Sequence, residues 1–245
     1  MPASRHVAAV ERAVAIMDEL ADARCELGTN EVARRTGINV STVSRILATL
    51  ADGGLVEHVP LTGRYRLGLG IVRLANALHD DRDIRSLARP YLTELVDLLE
   101  ETATLSVPGE HEAFTLDFVQ SPLTVRSVAE VGRTSVAHAT AVGKVFLAHG
   151  GTLPDRDLTA FTRHTIVDRG ALELEIARIK DLGWAQALGE READMNAVAV
   201  PVLNRAGQLV AILGVQGPSA RLRPKVIKTA ARLLADRAAR ISAVL

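Results

Sequence analysis

Two helix-length segments meet at Thr36-Gly37-Ile38, and no other junction in the chain restricts its fold as tightly. Gly37 can take the left-handed backbone that closes a helix. Before it, Glu31 to Arg35 is helical in character. Thr29 is expected as the N-cap, with Glu31 in the first turn, where the helix dipole favours an anion. After it, Asn39 is expected to cap a helix from Val40 to about Leu50, with Val43, Ile46, Leu47 and Leu50 as its apolar stripe. Upstream, Val7, Val10, Val14, Met17 and Leu20 recur at helical spacing and predict an amphipathic helix over 7–21. Downstream, Asp52-Gly53-Gly54 ends the helical pattern. Leu55–Val59 and Arg64–Leu67 then alternate on either side of Thr62-Gly63, which reads as a hairpin. Three helices and a hairpin thus fill residues 7–67.

The second helix of the junction carries Ser41, Thr42, Ser44, Arg45 and Thr49 beside its apolar stripe. Short hydroxyl side chains let a helix sit deep in a major groove and donate to phosphates or base edges, and an arginine can pair with guanine or phosphate. The competing reading is a solvated helix face, against which the glycine turn and the following hairpin weigh. The whole chain is neutral, with 29 basic and 29 acidic residues. Locally it is not. Residues 34–66 hold Arg34, Arg35, Arg45, Arg64 and Arg66 against Asp52 and Glu57, the positive excess that phosphate binding requires. Arg64 and Arg66 follow the hairpin turn, where a wing could reach a minor groove; either could instead pair with Glu57 or Asp52. The candidate DNA contacts are Thr29, Arg34, Asn39, Ser41, Thr42, Ser44, Arg45, Arg64 and Arg66.

Beyond the hairpin, residues 69–100 read as helix in two pieces. Leu69, Val72, Leu74 and Leu78 begin the first. The charged run 79–83 interrupts it, and Pro90 is expected to open the second at its first turn, with Leu92, Leu95, Val96 and Leu99 on one face. Past residue 100 the pattern changes to short strand-like runs at 103–107, 113–119, 124–130, 184–188, 196–203 and 208–216. Helical segments fall at 141–149, 168–182 and 224–244. Mixed strands with helices grouped between and after them argue an α+β domain, not a regular βαβ alternation. The expected organisation is 7–68 for the DNA-binding domain, 69–84 for a linker helix and 85–245 for a second domain.

Composition narrows the function. A hydrophobic fraction of 48 % and a charged fraction of 24 % are ordinary for a globular chain able to bury a core. Cys25 is the only cysteine, which excludes an intrachain disulfide and a cysteine-based zinc site and fits a reducing cytoplasm. No signal peptide is expected at the N-terminus, and no apolar run approaches the length of a membrane span.

Glu31-Val32-Ala33-Arg34-Arg35-Thr36-Gly37-Ile38, Ser41-Thr42-Val43-Ser44-Arg45-Ile46-Leu47, Gly54-Leu55-Val56-Glu57 and Gly63-Arg64-Tyr65-Arg66-Leu67-Gly68 together resemble the IclR family of transcriptional regulators. Ala88-Arg89-Pro90-Tyr91-Leu92 is similar to that family's inter-domain helix, and His138-Ala139-Thr140-Ala141-Val142-Gly143-Lys144 to its most recognisable C-terminal motif. Ala199-Val200-Pro201-Val202 and Gly217-Pro218-Ser219-Ala220-Arg221-Leu222 match its last strands. The resemblance implies a winged helix-turn-helix joined by a helix to a GAF-like effector-binding domain, with no catalytic activity and no cofactor. It also implies a cytoplasmic regulator, more often a repressor, that dimerises through its N-terminal half, often pairs into tetramers, and binds palindromic operators. The alternative is a sensor or scaffold whose winged helix mediates protein contacts.

The motif around residue 140 has two readings of its own. Thr140 stands before a helix whose small first residues leave backbone N–H groups bare, a ready site for a carboxylate. A tight strand-to-helix packing turn wants small residues as well. The resemblance tips Ala141 and Val142 toward ligand contact. Gly143-Lys144 is not a P-loop, because Val145 stands where magnesium would need a hydroxyl. His138, Thr140 and Lys144 lack a companion acid for nucleophilic chemistry. Relatives that bind small keto acids line the pocket with an acid, a cysteine and two serines; at the aligned positions this sequence has Ala187, Ala197, Gly214 and Gln216. The expected effector site is therefore Thr140, Ala141, Val142, Gly143, Ala187, Ala197, Gly214 and Gln216. It is read as a roomier, more apolar pocket for an aromatic or acyl compound with an anionic head, with Gln216 either on the ligand or satisfying a strand end.

Overall fold

The structure is a computed structural model that describes residues 7–23, 25–77, 84–153 and 157–245. The chain divides into two compact units, residues 1–81 and 82–245.

The first unit is built from α1 (Ala8–Ala23), α2 (Thr29–Thr36), α3 (Val40–Asp52), the antiparallel strands β1 (Val56–Val59) and β2 (Arg64–Leu67), and α4 (Gly70–Ala77). Gly37 closes α2 with φ 71°, the left-handed value that its sequence position requires. Asn39 caps α3, its side chain accepting the Thr42 N–H at 2.8 Å. Thr29 is the first helical residue of α2 and not its cap; Gly28 occupies the cap position without a side-chain bond. The core is Ile16, Leu20, Leu27, Val32, Val43, Leu47, Leu50 and Val56, all buried. Each such side chain contributes about 1.5–3 kcal/mol of burial. Leu27 pairs with Tyr65 through two 2.9 Å backbone bonds, adding a third short edge to the hairpin. In α1 the buried side is Ile16 and Leu20, while Val7, Val10 and Val14 of the predicted stripe are exposed. On α4, Leu69 just before it and Val72 and Leu74 within it are exposed, and Leu78 lies outside the described residues.

The second unit contains α5 (Ile84–Leu99), β3 (Thr102–Pro108), β4 (Ala113–Val119), β5 (Thr134–Ser135), α6 (Ala141–Ala148), α7 (Arg169–Leu182), β6 (Ala185–Leu188), β7 (Met195–Leu203), β8 (Leu209–Pro218) and α8 (Pro224–Ser242). Its six strands form one antiparallel sheet in the order β5-β4-β3-β8-β7-β6. Alternation along the strands divides two cores. Ala103, Leu105, Val198, Val200, Val202, Leu213 and Val215 point to α5 and α8, with Leu92, Leu95, Ile227 and Leu234 packed on them. Ala199, Ile212 and Ala187 point the other way, to α6 and α7, against Val145, Phe146, Leu172 and Ile179. This three-layer α+β arrangement leaves one end of the α6 face open for a cavity.

Two expectations need correction. Pro90 sits inside α5, not at its start, so one rung of the helix ladder is missing. The helix continues upstream because Ala88 is fully buried in the core, with Ile84 packed against it. Residues 124–130 form no strand. The Arg221 guanidinium donates to the Val125 carbonyl at 2.8 Å and the Thr102 hydroxyl to the Ser127 carbonyl at 2.8 Å, so side chains take the place of ladder partners. The edge strand is instead β5. Among the described residues no helix is long and apolar enough to cross a membrane.

Candidate functional site

The DNA-reading candidates fall into two groups by what holds them. On α3, Ser41, Ser44 and Arg45 are exposed and Thr42 is half-buried. Arg34, at the end of α2, is exposed too. Among the described residues neither Arg34 nor Arg45 has an ion-pair or hydrogen-bond partner for its side chain. Asn39 spends its side-chain oxygen on the cap and on the Ser41 hydroxyl, 3.0 Å away. Thr29 is half-buried at the start of α2.

The wing arginines differ. Arg66 lies across the hairpin from Glu57, Nε to Oε2 at 3.0 Å, and its hydrogen bond and charge hold that carboxyl below the usual range. Arg64 donates to the Glu26 carbonyl at 2.9 Å and lies 3.5 Å from Glu31. Glu31 also holds Arg35 at 3.0 Å. Both wing guanidiniums therefore serve the protein's own structure first. Leu61 at the wing tip is 97 % exposed.

In the second unit, a cavity of about 330 Å³ opens between the sheet and the start of α6. Thr140, Ala141, Val142, Ala187, Ala197 and Gln216 line it, as expected from the sequence. Gly143 and Gly214 do not. A Cβ on Gly143 would stand 2.5 Å from the Ala137 Cα, so this glycine allows α6 to pack on the 136–137 turn. A Cβ on Gly214 would meet the Thr104 hydroxyl at 2.8 Å and a Val142 methyl at 3.3 Å. The space gained at Gly214 is filled by those neighbours and adds nothing to the cavity. The motif at residue 140 is thus both of the things its sequence allowed: a packing turn at Gly143 and a cavity wall at Ala141 and Val142.

The lining also has a polar part. Thr104 and Ser106 of β3, Thr115 of β4, Asn196 of β7 and the loop residues Arg126, Arg133 and Arg191 were not anticipated. The β3 residues carried a readable signal: Thr102, Thr104 and Ser106 alternate with Ala103, Leu105 and Val107, so a polar row had to face the side away from the α5–α8 core. At the start of α6, Thr140 Oγ1 accepts the Gly143 N–H at 3.0 Å and donates to the Val136 carbonyl at 2.9 Å. The N–H groups of Ala141 and Val142 have no acceptor among the described residues.

Lys144 explains itself structurally. It is 1 % exposed, and its Nζ lies 2.6 Å from the Glu190 carboxylate and 3.0 Å from the Gln186 carbonyl. The pair fastens α6 to the end of β6. His138 Nε2 lies 2.9 Å from the Thr159 carbonyl, a contact that ties the turn before α6 to the 157–162 loop.

The family sequence model for the IclR helix-turn-helix domain matches residues 9–60, and that for the bacterial transcriptional regulator IclR C-terminal region matches residues 76–243. The chain belongs to the IclR family. It is a DNA-binding transcriptional regulator with a small-molecule effector domain and not an enzyme, and a winged helix used only for protein contacts is not favoured. It is 30 % identical to the HTH-type transcriptional regulator XynR of Escherichia coli, over 88 % of each chain. It is 32 % identical to the glycerol operon regulatory protein of Streptomyces griseus, over 90 % of this chain and 89 % of that one. Among solved structures, an IclR homolog complexed with 4-hydroxybenzoate from Microbacterium hydrocarbonoxydans shares the fold. Its TM-score is 0.84 at 23 % identity, over 96 % of this chain and 98 % of that one.

Proposed function

We propose that this IclR-family protein acts in the cytoplasm as an effector-controlled repressor of a catabolic or metabolic operon, reading DNA through α3 as a homodimer. The DNA-binding domain is residues 7–68, the linker helix 69–84, and the effector domain 85–245. Arg45, Ser41, Thr42 and Ser44 enter the major groove. Asn39 and Thr29 stand at the two helix starts, and Arg34 takes a phosphate. Arg64 and Arg66 bring the wing to the duplex. The observation that carries this reading is the pair of guanidiniums, Arg34 and Arg45, exposed and without a partner among the described residues, on the two helices of the family's DNA-binding module. Their donors are free to meet a phosphate or a base edge.

One small module reads few base pairs, so the operator is an inverted repeat with half-sites about one helical turn, ~34 Å, or a multiple apart. The exposed apolar side chains of Val10 and Val14 on α1 and Val7 just before it, and of Leu69 and Val72 at α4, support pairing of two N-terminal units. Dimers pair further into tetramers. In the effector domain the ligand is a small carboxylate, its head on the Ala141 and Val142 N–H groups and its carbon body along Ala187 and Ala197, with Thr140 and Gln216 beside it. The 4-hydroxybenzoate held by the Microbacterium protein supports a ligand with an anionic head.

Electrophoretic shifts with the promoter beside the protein's own gene test the reading. Retarded DNA that is released by a metabolite is the expected result. No retardation at 50 mM salt would overturn the reading, and a monomer by light scattering that still binds tightly would overturn the pairing.

A further inference from the structure

The floor of the 330 Å³ cavity changes chemistry from one side to the other. Ala187 pairs in register with Ala197, and Ala197 with Gln216, so the β6–β7 side is lined by methyl groups. Beyond Gln216 stand Thr104 and Ser106 of β3, and Ser106 pairs in register with Thr115 of β4. Among the described residues the hydroxyls of Thr104, Ser106 and Thr115 and the amide of Gln216 have no hydrogen-bond partner. Ser106 is 1 % exposed, and its Oγ is fully buried and unsatisfied. Interiors rarely leave such a group unpaired without a reason, and a ligand is one. Above the floor, the bare Ala141 and Val142 N–H groups form the start of an eight-residue helix, a site for an anion. The rim adds Arg126, Arg133 and Arg191 against Glu130 and Glu192, an excess of one positive charge.

Resting on the reading of this cavity as the effector site, we infer that its ligand is a hydroxylated carboxylate. The carboxylate meets the Ala141 and Val142 N–H groups, the carbon skeleton lies along Ala187 and Ala197, and the hydroxyl groups pair with Thr104, Ser106 and Thr115. An alkanoate of the same length would bury its chain against unpaired hydroxyls. A neutral polyol would leave the helix start and the positive rim without an anion.

Two sources supply this chemistry, aliphatic and aromatic, and calorimetry on the full chain without DNA separates them. Threonate, arabinonate and gluconate are titrated against butanoate, pentanoate and hexanoate, and 4-hydroxybenzoate against benzoate, with arabinitol as the neutral control. In at least one series the hydroxylated acid is expected to bind tenfold or more tighter than its deoxy partner, and arabinitol not to bind. Ser106→Ala should remove most of that preference and leave the deoxy acid's affinity unchanged. Thermal unfolding of Ser106→Ala should show no loss of stability, because the hydroxyl it removes has no partner among the described residues, and Thr104→Val provides a second variant. The inference is overturned if no hydroxylated acid binds at 1 mM, if the deoxy acids bind as tightly in both series, or if neither variant changes the preference. Because no DNA is present, such a failure leaves the DNA-binding reading standing, and a failure to bind DNA leaves this one standing.

Discussion

Helices α3 and α6 begin with the same device and face opposite surroundings. Asn39 Oδ1 accepts the Thr42 N–H at 2.8 Å, and Thr140 Oγ1 accepts the Gly143 N–H at 3.0 Å. Each cap satisfies one donor of the first turn and leaves earlier ones for an anion. Around α3 only Val43, Leu47 and Leu50 are buried, and Ser41, Ser44 and Arg45 look outward. In α6 every residue but Val142 is buried. An open helix start can meet a duplex; one set in a cavity of about 330 Å³ meets what enters that cavity. What a capped helix start can bind is therefore decided by the layer packed around it more than by the cap itself.

The enclosure of α6 offers the largest effect. Lys144→Ala leaves Glu190 without its buried cation and should cost about 3–5 kcal/mol in urea unfolding. Arg45→Ala on the open helix should leave stability within about 0.5 kcal/mol. A comparable loss at both positions would erase the contrast. In DNA binding the order reverses: Arg45→Ala should lose about 1–3 kcal/mol of operator affinity while ligand affinity stays constant. The two caps sharpen the comparison at equal cost. Asn39→Ala and Thr140→Ala should each lower stability by about 1 kcal/mol. Fluorescence anisotropy should show weaker DNA binding only for the first, and calorimetry weaker ligand binding only for the second.

Smaller effects are expected where a group already has a partner or lies at a margin. Arg66→Ala, across from Glu57, should change operator affinity less than Arg45→Ala, because part of its hydrogen bonding is spent within the wing. His149, which follows α6, has its pKa lowered by burial and then by the Lys180 charge. Its folded-state pKa lies below its unfolded value, so the unfolded chain binds the proton better. The stabilising contribution is complete above about pH 6.5 and is lost as pH falls through the folded value. His149→Asn should flatten the unfolding free energy between pH 7 and pH 5 and leave it unchanged at pH 8.

How much of each site could be read from the sequence follows from the same contrast. α3 was readable with its cap and its buried stripe because a helix face is set by 3.6-residue spacing within one short segment. Periodicity does not say which apolar face is covered: of the expected stripe Leu20 is buried, beside Ile16, which lay outside it, whereas Val7, Val10 and Val14 are exposed. Thr29 looked like a cap because its residue type favours that place, yet Gly28 supplies the extended backbone there. The cavity was half readable. Ala141 and Val142 belong to one local motif, whereas Thr104, Ser106 and Thr115 reach them only through sheet pairing between segments remote in sequence. Gly214 misled for a physical reason: a missing side chain makes a cavity only when no neighbour moves in, and Thr104 and Val142 did.

If α2 and α3 meet DNA through Arg34 and Arg45, which have no partner among the described residues, their loss must show in DNA binding. The most direct test is the salt dependence of binding to the promoter beside the protein's own gene, measured by anisotropy for the wild type, Arg34→Ala and Arg45→Ala. The account predicts a linear fall of log K with log salt for the wild type. Arg34→Ala should make the slope shallower by about 1, and Arg45→Ala should either do the same or, if it reads a base, keep the slope and lose affinity for one sequence position. Wild-type affinity and slope in both variants would contradict it.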